Sequence, residues 1–216
     1  MLGLPTIADL ITRAIVLVIA FTAHEYAHAW TADRLGDPLP RREGRLTLDP
    51  RQHVEPLGWL MALIAGFGWA RPVRWTGNPF YLKVDLRWAG LLIAAAGPLS
   101  NLALAAIGGL PVSLGLVSTY QYSQFLPTAG QLVTTFVWFN VMLFVFNMLP
   151  IMPLDGYAVA VNLLPPRYAI YVRRLEPYGM AILMALIFIP YMLRVDVLGA
   201  IIGPPIEGLT RLFLGI

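Results

Sequence analysis

The chain has 216 residues, of which 58% are hydrophobic and only 12% are charged, and its mean hydropathy is +0.69. Because a soluble domain carries about 25% charged residues, this composition excludes an ordinary water-soluble domain and favours a membrane protein. The hydrophobic content also excludes an intrinsically disordered chain. The absence of cysteine excludes disulfides, a cysteine nucleophile and thiolate metal ligands.

The first long apolar segment covers residues 8–32 and is expected to cross the membrane as a helix. Thr6 and Asp9 have the spacing of a capping box, which predicts that the helix begins there. Residues 34–87 are rich in arginine and proline, which predicts loops, short strands and turns. Within them the apolar run 57–70 is too short to span a bilayer, so we expect a re-entrant or interfacial element.

Five apolar segments are expected to span the membrane. They are residues 8–32, 88–117, 131–149, 178–193 and 197–216. Pro150 and Pro153 are expected to interrupt the third segment before a further apolar stretch that reaches residue 164. The last segment is expected to break at Gly203-Pro204-Pro205.

The basic residues are concentrated in two regions. Nine of the 15 Lys and Arg residues lie in residues 34–87 and three more lie in residues 165–177, whereas residues 88–154 carry no charge. Because basic loops favour the cytoplasmic side, this pattern predicts a cytoplasmic location for both regions, with the N-terminus outside and the C-terminus inside. A nucleic-acid-binding surface would not need such long apolar flanks, so we expect no nucleic-acid partner.

An H-E-x-x-H sequence lies in the first apolar segment, from His24 to His28. Positions i and i+4 share one helical face, so the two imidazoles can bind one zinc ion. Glu25, the only charged residue between Arg13 and Asp33, would then accept a proton from the attacking water. The alternative is a structural polar network near a helix end.

A catalytic zinc site needs a third protein ligand, for which the sequence offers several candidates. These are His53, Glu43, Glu55 and Asp155. Asp155 is the only charged residue in residues 88–166, and an isolated carboxylate in an apolar stretch is costly unless it is paired or binds a metal. The sequence therefore favours Asp155.

Three motifs follow one another along the apolar segments. They are His24-Glu25-x-x-His28, Gly97-Pro98-Leu99-Ser100-Asn101 and Asn147-x-x-Pro150-x-x-Pro153-Leu154-Asp155-Gly156. In this order the motifs resemble those of the site-2 protease family of intramembrane zinc metalloproteases. The likeness extends over about residues 20–165 and includes segments 45–50, 53–58 and 68–73. The chain resembles a minimal form of this family, which lacks the PDZ or CBS domains that many members carry.

The resemblance implies roles for individual residues. His24, His28 and Asp155 would bind one Zn²⁺ ion, and Glu25 would act as the general base. Asn101 is similar in position to an asparagine that would hold the substrate backbone or stabilise the oxyanion; its alternative role is an interhelical hydrogen bond.

Two further residues also have expected roles. Asn147 would orient a metal ligand through a hydrogen bond on the side away from the metal, or would bond to backbone groups left unpaired where the helix is interrupted. We expect His53 to lie near the membrane surface, where it pairs with Asp49 or Glu55 or contacts substrate.

These observations predict an all-α polytopic membrane protein of one domain, residues 1–216. Its three-helix catalytic core would cover residues 8–165, with a short re-entrant or β-like segment, and accessory helices would cover residues 178–216. The expected function is zinc-dependent endopeptidase activity on transmembrane protein substrates, in a prokaryotic cell membrane with the active site toward the cytoplasm. The alternatives are a transporter or metal-ion permease that uses the same polar residues, and a catalytically silent membrane scaffold.

Overall fold

The computed structural model describes residues 5–65, 68–193 and 196–216. In these ranges the chain forms helices and connecting segments without a β-strand, so the short strands predicted for residues 34–87 are not found there. The helices are α1 (Ile7–Arg34), α2 (Leu39–Arg42), α3 (Pro56–Ala65), α4 (Leu86–Ser113), α5 (Ala129–Asn147), α6 (Asp155–Leu163), α7 (Pro166–Arg174), α8 (Gly179–Leu193) and α9 (Val197–Leu214), with short 3₁₀ turns at Pro50–Gln52 and Glu176–Tyr178.

Of the helices in the described ranges, four are long and apolar enough to span a membrane, namely α1, α4, α5 and α9. The count differs from the five predicted spans because α8 has only 15 residues, fewer than the ~20 that a span requires. Of the apolar run 57–70, residues 57–65 lie in α3, residues 68–70 are not helical, and residues 66 and 67 are outside the described ranges. The re-entrant placement of this run stays a prediction. The break predicted at Gly203-Pro204-Pro205 is wrong, because α9 continues through these residues.

The start of α1 and the end of α9 lie at the same end of the bundle. The backbone N–H of Ala8 donates to the carbonyl of Gln124 in the α4–α5 connection, at 3.1 Å. A Cβ placed on Gly215 would lie 3.1 Å from Cβ of Ser113, the last residue of α4. The prediction of chain ends on opposite sides is therefore wrong, since four long helices return the chain to the end where it began.

Helices α1, α4 and α5 pack against one another and form the expected three-helix core. Between α1 and α4 the contact is made by small or branched side chains, Ala32, Ala89 and Ile93. Small residues let two helix backbones approach closely, which favours association where lipid supplies no hydrophobic driving force. Helix α9 covers α4 and α5, where Ile206 and Leu214 are buried.

The polar region after α1 folds back over the C-terminal half of that helix, where the N–H of Val73 donates to Glu25. Residues 68–76, which we call the 68–76 segment, are neither helical nor stranded. The buried carboxylate of Asp37 accepts the backbone N–H of Thr76 at 2.7 Å, and the N–H of Arg71 donates to the carbonyl of His53 at 2.8 Å. These bonds fix the segment beside α1.

Candidate metal centre and active site

Helix α1 carries His24, Glu25 and His28 on adjacent turns in its second half. The capping box predicted at its start is confirmed, because the Thr6 hydroxyl accepts the N–H of Asp9 while the Asp9 carboxylate accepts the N–H of Thr6. The three side chains of the motif are buried, with 6–8% of their surface exposed. Buried ionisable groups need partners, and these come from α4, α6 and the 68–76 segment.

Asp155 is the first residue of α6, which the chain reaches after the irregular turn at residues 148–154. The turn brings α6 close to the end of α5. A Cβ on Gly156 would lie 2.3 Å from the carbonyl oxygen of Met148 and 2.4 Å from that of Leu149, so only glycine permits this approach. The far end of α6 is fixed to α4, because the Arg87 guanidinium donates to the last carbonyls of α6.

Three ligand atoms converge at the centre of the core. The Nε2 atoms of His24 and His28 are 3.0 Å apart, and Oδ2 of Asp155 lies 3.1 Å from the first and 3.3 Å from the second. In a tetrahedral zinc site with bonds of about 2.0–2.1 Å, neighbouring ligand atoms are about 3.3–3.4 Å apart. The triangle that these three atoms form therefore fits one zinc ion.

Hydrogen bonds at the Nδ1 atoms of His24 and His28 determine whether each Nε2, which faces this centre, carries a lone pair or a proton. Nδ1 of His28 lies 2.6 Å from the carbonyl oxygen of Ile93, which only accepts, so Nδ1 donates. Nδ1 of His24 donates in the same way to Oδ1 of Asn101 at 2.7 Å. Neutral imidazoles protonated at Nδ1 turn the Nε2 lone pair inward. Two nitrogen lone pairs and a carboxylate oxygen then face one another, an arrangement that a cation stabilises.

Glu25 does not belong to the triangle. Its Oε2 accepts the backbone N–H of Val73 at 3.0 Å and lies 3.6 Å from the guanidinium of Arg45. Arg45 is 2% exposed and also donates to the carbonyls of Gln52 and Arg71, so it connects Glu25 to the 68–76 segment. Burial lowers the pKa of Arg45, while the Glu25 charge opposes that shift. Glu25 is thus a fixed carboxylate adjacent to the metal ligands.

Comparison with known proteins finds relatives that match most of the chain. The chain is 40% identical over 177 residues to YwhC of Bacillus subtilis, named "putative zinc metalloprotease", and the match covers 82% of this chain and 80% of that protein. The chain belongs to this zinc metalloprotease family. It is also 31% identical to Rip2 of Mycobacterium tuberculosis and 30% identical to Rip2 of Mycolicibacterium smegmatis, which carry the same description.

The matches to the mycobacterial proteins cover 80% and 83% of this chain, and 65% and 69% of the two relatives. No protein-family model matches the chain, and no solved structure is significantly similar to it. The relatives and the His24–His28–Asp155 cluster together support Zn²⁺ as the cofactor.

Among the four candidates for the third ligand in this metalloprotease, Asp155 lies with the histidines. Glu43 pairs with Arg74 instead, and the Glu55 carboxylate accepts the N–H of Gly58.

The predicted pairing of His53 with Asp49 or Glu55 is wrong, while its position near the membrane surface and its contact with substrate stay predictions. His53 is fully buried, and its Nε2 donates to the carbonyl of Thr47 at 2.8 Å, while Asp49 binds Arg51. Burial lowers the pKa of His53.

The two predicted asparagines occupy different places. Asn101 is fully buried behind His24, and its amide nitrogen donates to the carbonyl of Ala20 at 3.1 Å. Asn147 donates to the carbonyl of Leu143, one turn earlier in α5, at 3.0 Å. The predicted contact of Asn101 with substrate, and the predicted role of Asn147 behind a ligand, stay predictions.

Two residues of the site, Asn140 and Arg45, could not be assigned a role from the sequence, whereas Gly97 is part of the second motif. Gly97 of α4 lies against both rings, since a Cβ there would be 2.2 Å from Nε2 of His28 and 2.7 Å from Cε1 of His24. Asn140 of α5 is fully buried and binds Asn101. An isolated amide in an apolar span was a usable signal for Asn140. Arg45 offered no comparable signal, because it lies among many other arginines.

Proposed function

We propose that this protein is a zinc-dependent intramembrane endopeptidase of the site-2 protease type, which cleaves peptide bonds in or near the transmembrane helices of other proteins. The observation that carries the proposal is the His24–His28–Asp155 triangle with Glu25 beside it, inside a bundle of helices long enough to span a bilayer. Hydrolases that use H-E-x-x-H employ the glutamate as general base next to the metal.

Glu25 has the surroundings that a proton-transferring carboxylate needs. Zinc supplies Lewis acidity, which polarises a carbonyl group and makes water acidic near neutral pH. Glu25 accepts the proton of the attacking water and returns it to the leaving amine. Arg45 and the N–H of Val73 hold the carboxylate in one orientation, so the proton is transferred at a fixed position.

The position of the site along α1 supports a membrane-embedded substrate. His24 precedes the end of α1 at Arg34 by ten residues, which places the metal ligands about 15 Å inside the helix at 1.5 Å per residue. A substrate helix must unwind locally there, because an intact helix engages its carbonyls in hydrogen bonds. The basic residues of 34–87 and 165–177 favour a cytoplasmic position for the nearer end, and the bacterial relatives favour the prokaryotic cell membrane.

The decisive experiment is Glu25→Gln in proteoliposomes that contain a transmembrane reporter with a fluorescent cytoplasmic tag. We expect cleavage to fall by at least about 100-fold, as for loss of a general base, while bound zinc measured by mass spectrometry stays at one per chain. Glu207→Gln is the matched control and should leave cleavage unchanged, because Glu207 pairs with Arg211 on the exposed face of α9. Undiminished cleavage by Glu25→Gln would refute the proposal.

The same vesicles test the alternatives. A metal-ion permease would accumulate zinc in vesicles loaded with a zinc-sensitive dye, and a silent scaffold would bind zinc without cleavage or transport. We expect cleavage without zinc accumulation.

A further inference from the structure

Two buried amides connect α5 to the metal ligands through α4. The amide nitrogen of Asn140 donates to the carbonyl of Phe136 at 2.9 Å, and its Oδ1 accepts from the amide nitrogen of Asn101 at 2.9 Å. Oδ1 of Asn101 accepts in turn from Nδ1 of His24 at 2.7 Å. Both asparagines are fully buried. A continuous chain of three hydrogen bonds thus runs from the α5 backbone to a metal ligand.

The direction of this chain is fixed by backbone carbonyls. The carbonyl of Phe136 only accepts, so the Asn140 side chain must turn its nitrogen toward it and its oxygen toward Asn101. The carbonyl of Ala20 likewise binds the nitrogen of Asn101 and leaves the oxygen of that amide for His24. Each amide therefore has one orientation, and His24 has only an acceptor at its Nδ1.

We propose that Asn140 and Asn101 are positioning residues, which together hold the proton of His24 on Nδ1 and keep its Nε2 lone pair available to the metal. The inference rests on the metal site of the proposed function and not on peptide cleavage. A neutral imidazole without this acceptor can adopt the other tautomer, which presents an N–H to the metal and cannot bind it. Asn140 acts indirectly, because it orients the side-chain amide of Asn101, which contacts His24.

Asn140 reaches His24 only through Asn101, and this predicts how the two substitutions combine. Loss of a hydrogen-bonding partner behind a metal-binding histidine typically costs about 10–100-fold in metal affinity. We expect Asn101→Leu to weaken zinc binding within this range and Asn140→Leu to weaken it less. The double variant should bind zinc no more weakly than Asn101→Leu, because both substitutions interrupt one path.

The assay is a zinc-binding competition with a chelator of known affinity, on the full chain in detergent. Thr134→Val is the matched control. Thr134 donates to the carbonyl of Gly130, one turn earlier in α5, as Asn140 does to Phe136, but it lies near the start of that helix, six residues before Asn140. Zinc affinity should be unchanged in the control. An Asn140→Leu affinity equal to that of the unaltered protein would overturn the role of Asn140.

Asn140→Asp provides a rescue that does not depend on the leucine variant being folded. In an apolar interior a carboxyl group protonates, and its hydroxyl can donate to Phe136 while its carbonyl accepts from Asn101. We expect Asn140→Asp to retain zinc affinity within about threefold of the unaltered protein. A loss as large as that of Asn101→Leu would contradict a positioning role, because the path of hydrogen bonds is intact in this variant.

Nuclear magnetic resonance of the zinc-loaded protein labelled with ¹⁵N-histidine reports the tautomer directly, since the chain has three histidines. We expect protected Nδ1–H protons for His24 and His28 and a protected Nε2–H proton for His53. In Asn140→Leu only the His24 signal should weaken or shift. Signals that are unchanged in that variant would refute the inference, and they would leave the protease proposal, which depends on Glu25, untouched.

Discussion

Replacing Gly97 with alanine should disrupt the metal centre, although alanine is the better helix former. A Cβ at this position of α4 would lie 2.2 Å from Nε2 of His28, 2.6 Å from its Cε1 and 2.7 Å from Cε1 of His24. Non-bonded heavy atoms are normally about 3.5 Å or more apart, so the imidazoles would have to move by about 1 Å. Metal-ligand distances tolerate only about 0.2 Å, so a movement of this size removes ligand atoms from the site.

The size of the effect follows from the cost of inserting one carbon into a packed interior, about 1–3 kcal/mol. If the strain is released by displacing the imidazoles, zinc affinity falls by about 5- to 150-fold at 1.4 kcal/mol per factor of ten. Helix propensity acts in the opposite direction, because alanine is favoured over glycine by up to about 1 kcal/mol in a helix interior. A fall in stability and in zinc affinity would therefore show that the rings occupy the space beside Gly97, whereas a rise in stability would show that they do not.

The assay compares Gly97→Ala with Gly208→Ala, by zinc competition and by thermal unfolding with and without zinc. Gly208 lies in α9, and a Cβ there would meet no atom within 4 Å. The control should be neutral or slightly stabilised and should bind zinc normally. Zinc binding by Gly97→Ala as tight as that of the unaltered protein would refute the close approach of α4 to the two rings.

Two further predictions concern buried polar groups. Arg45→Met should lower the free energy of unfolding by about 3–5 kcal/mol, because it leaves Glu25 buried without its charged partner. Arg51→Gln, which removes the largely exposed partner of Asp49, should change it by less than about 1 kcal/mol, and equal effects in denaturant unfolding would contradict the buried pair. The pKa of His53 is lowered from 6.5 in the folded protein, so the unfolded chain binds protons more readily and stability is lost as the pH falls below 6.5. His53→Gln should make the unfolding temperature less dependent on pH between 6.5 and 5, and identical pH profiles for the two proteins would contradict the burial of His53.

The membrane-spanning part of the site could be predicted from the sequence because polar residues are rare there. His24, Glu25, His28 and Asp155 stand out against apolar neighbours, and burial in hydrocarbon is costly for residues without a partner or a function. The predicted helix bounds lie close to the observed ones for the same reason. The first span, for example, was predicted at residues 8–32 and is found at Ile7–Arg34. The span predicted at residues 178–193 is not confirmed, because apolar composition alone does not distinguish a helix of 15 residues from one long enough to cross the membrane.

The polar region at residues 34–87 could not be interpreted in this way. Its arginines are equivalent in sequence, yet Arg45 is buried beside Glu25 whereas Arg51 is exposed at the surface. His53 is surrounded by charged residues in sequence, but in the structure it binds the carbonyl of Thr47 inside the fold. Which of these side chains turns inward depends on contacts between the 68–76 segment and α1, and no local pattern encodes such contacts.

The candidate metal ligands and the proposed base are held by different parts of the molecule. His24, His28 and Asp155 are fixed by helices, through Asn101, the carbonyl of Ile93 and the docking of α6 on α4. Glu25 is fixed from outside the bundle, by Arg45 and the N–H of Val73 in the 68–76 segment. Removal of the base should therefore leave the metal site intact, which makes Glu25→Gln a clean test of catalysis. Conversely, the contacts that orient the Glu25 carboxylate come from Arg45 and Val73, whereas those of the two imidazoles come from Asn101 and Ile93, so the carboxylate and the imidazoles are held independently.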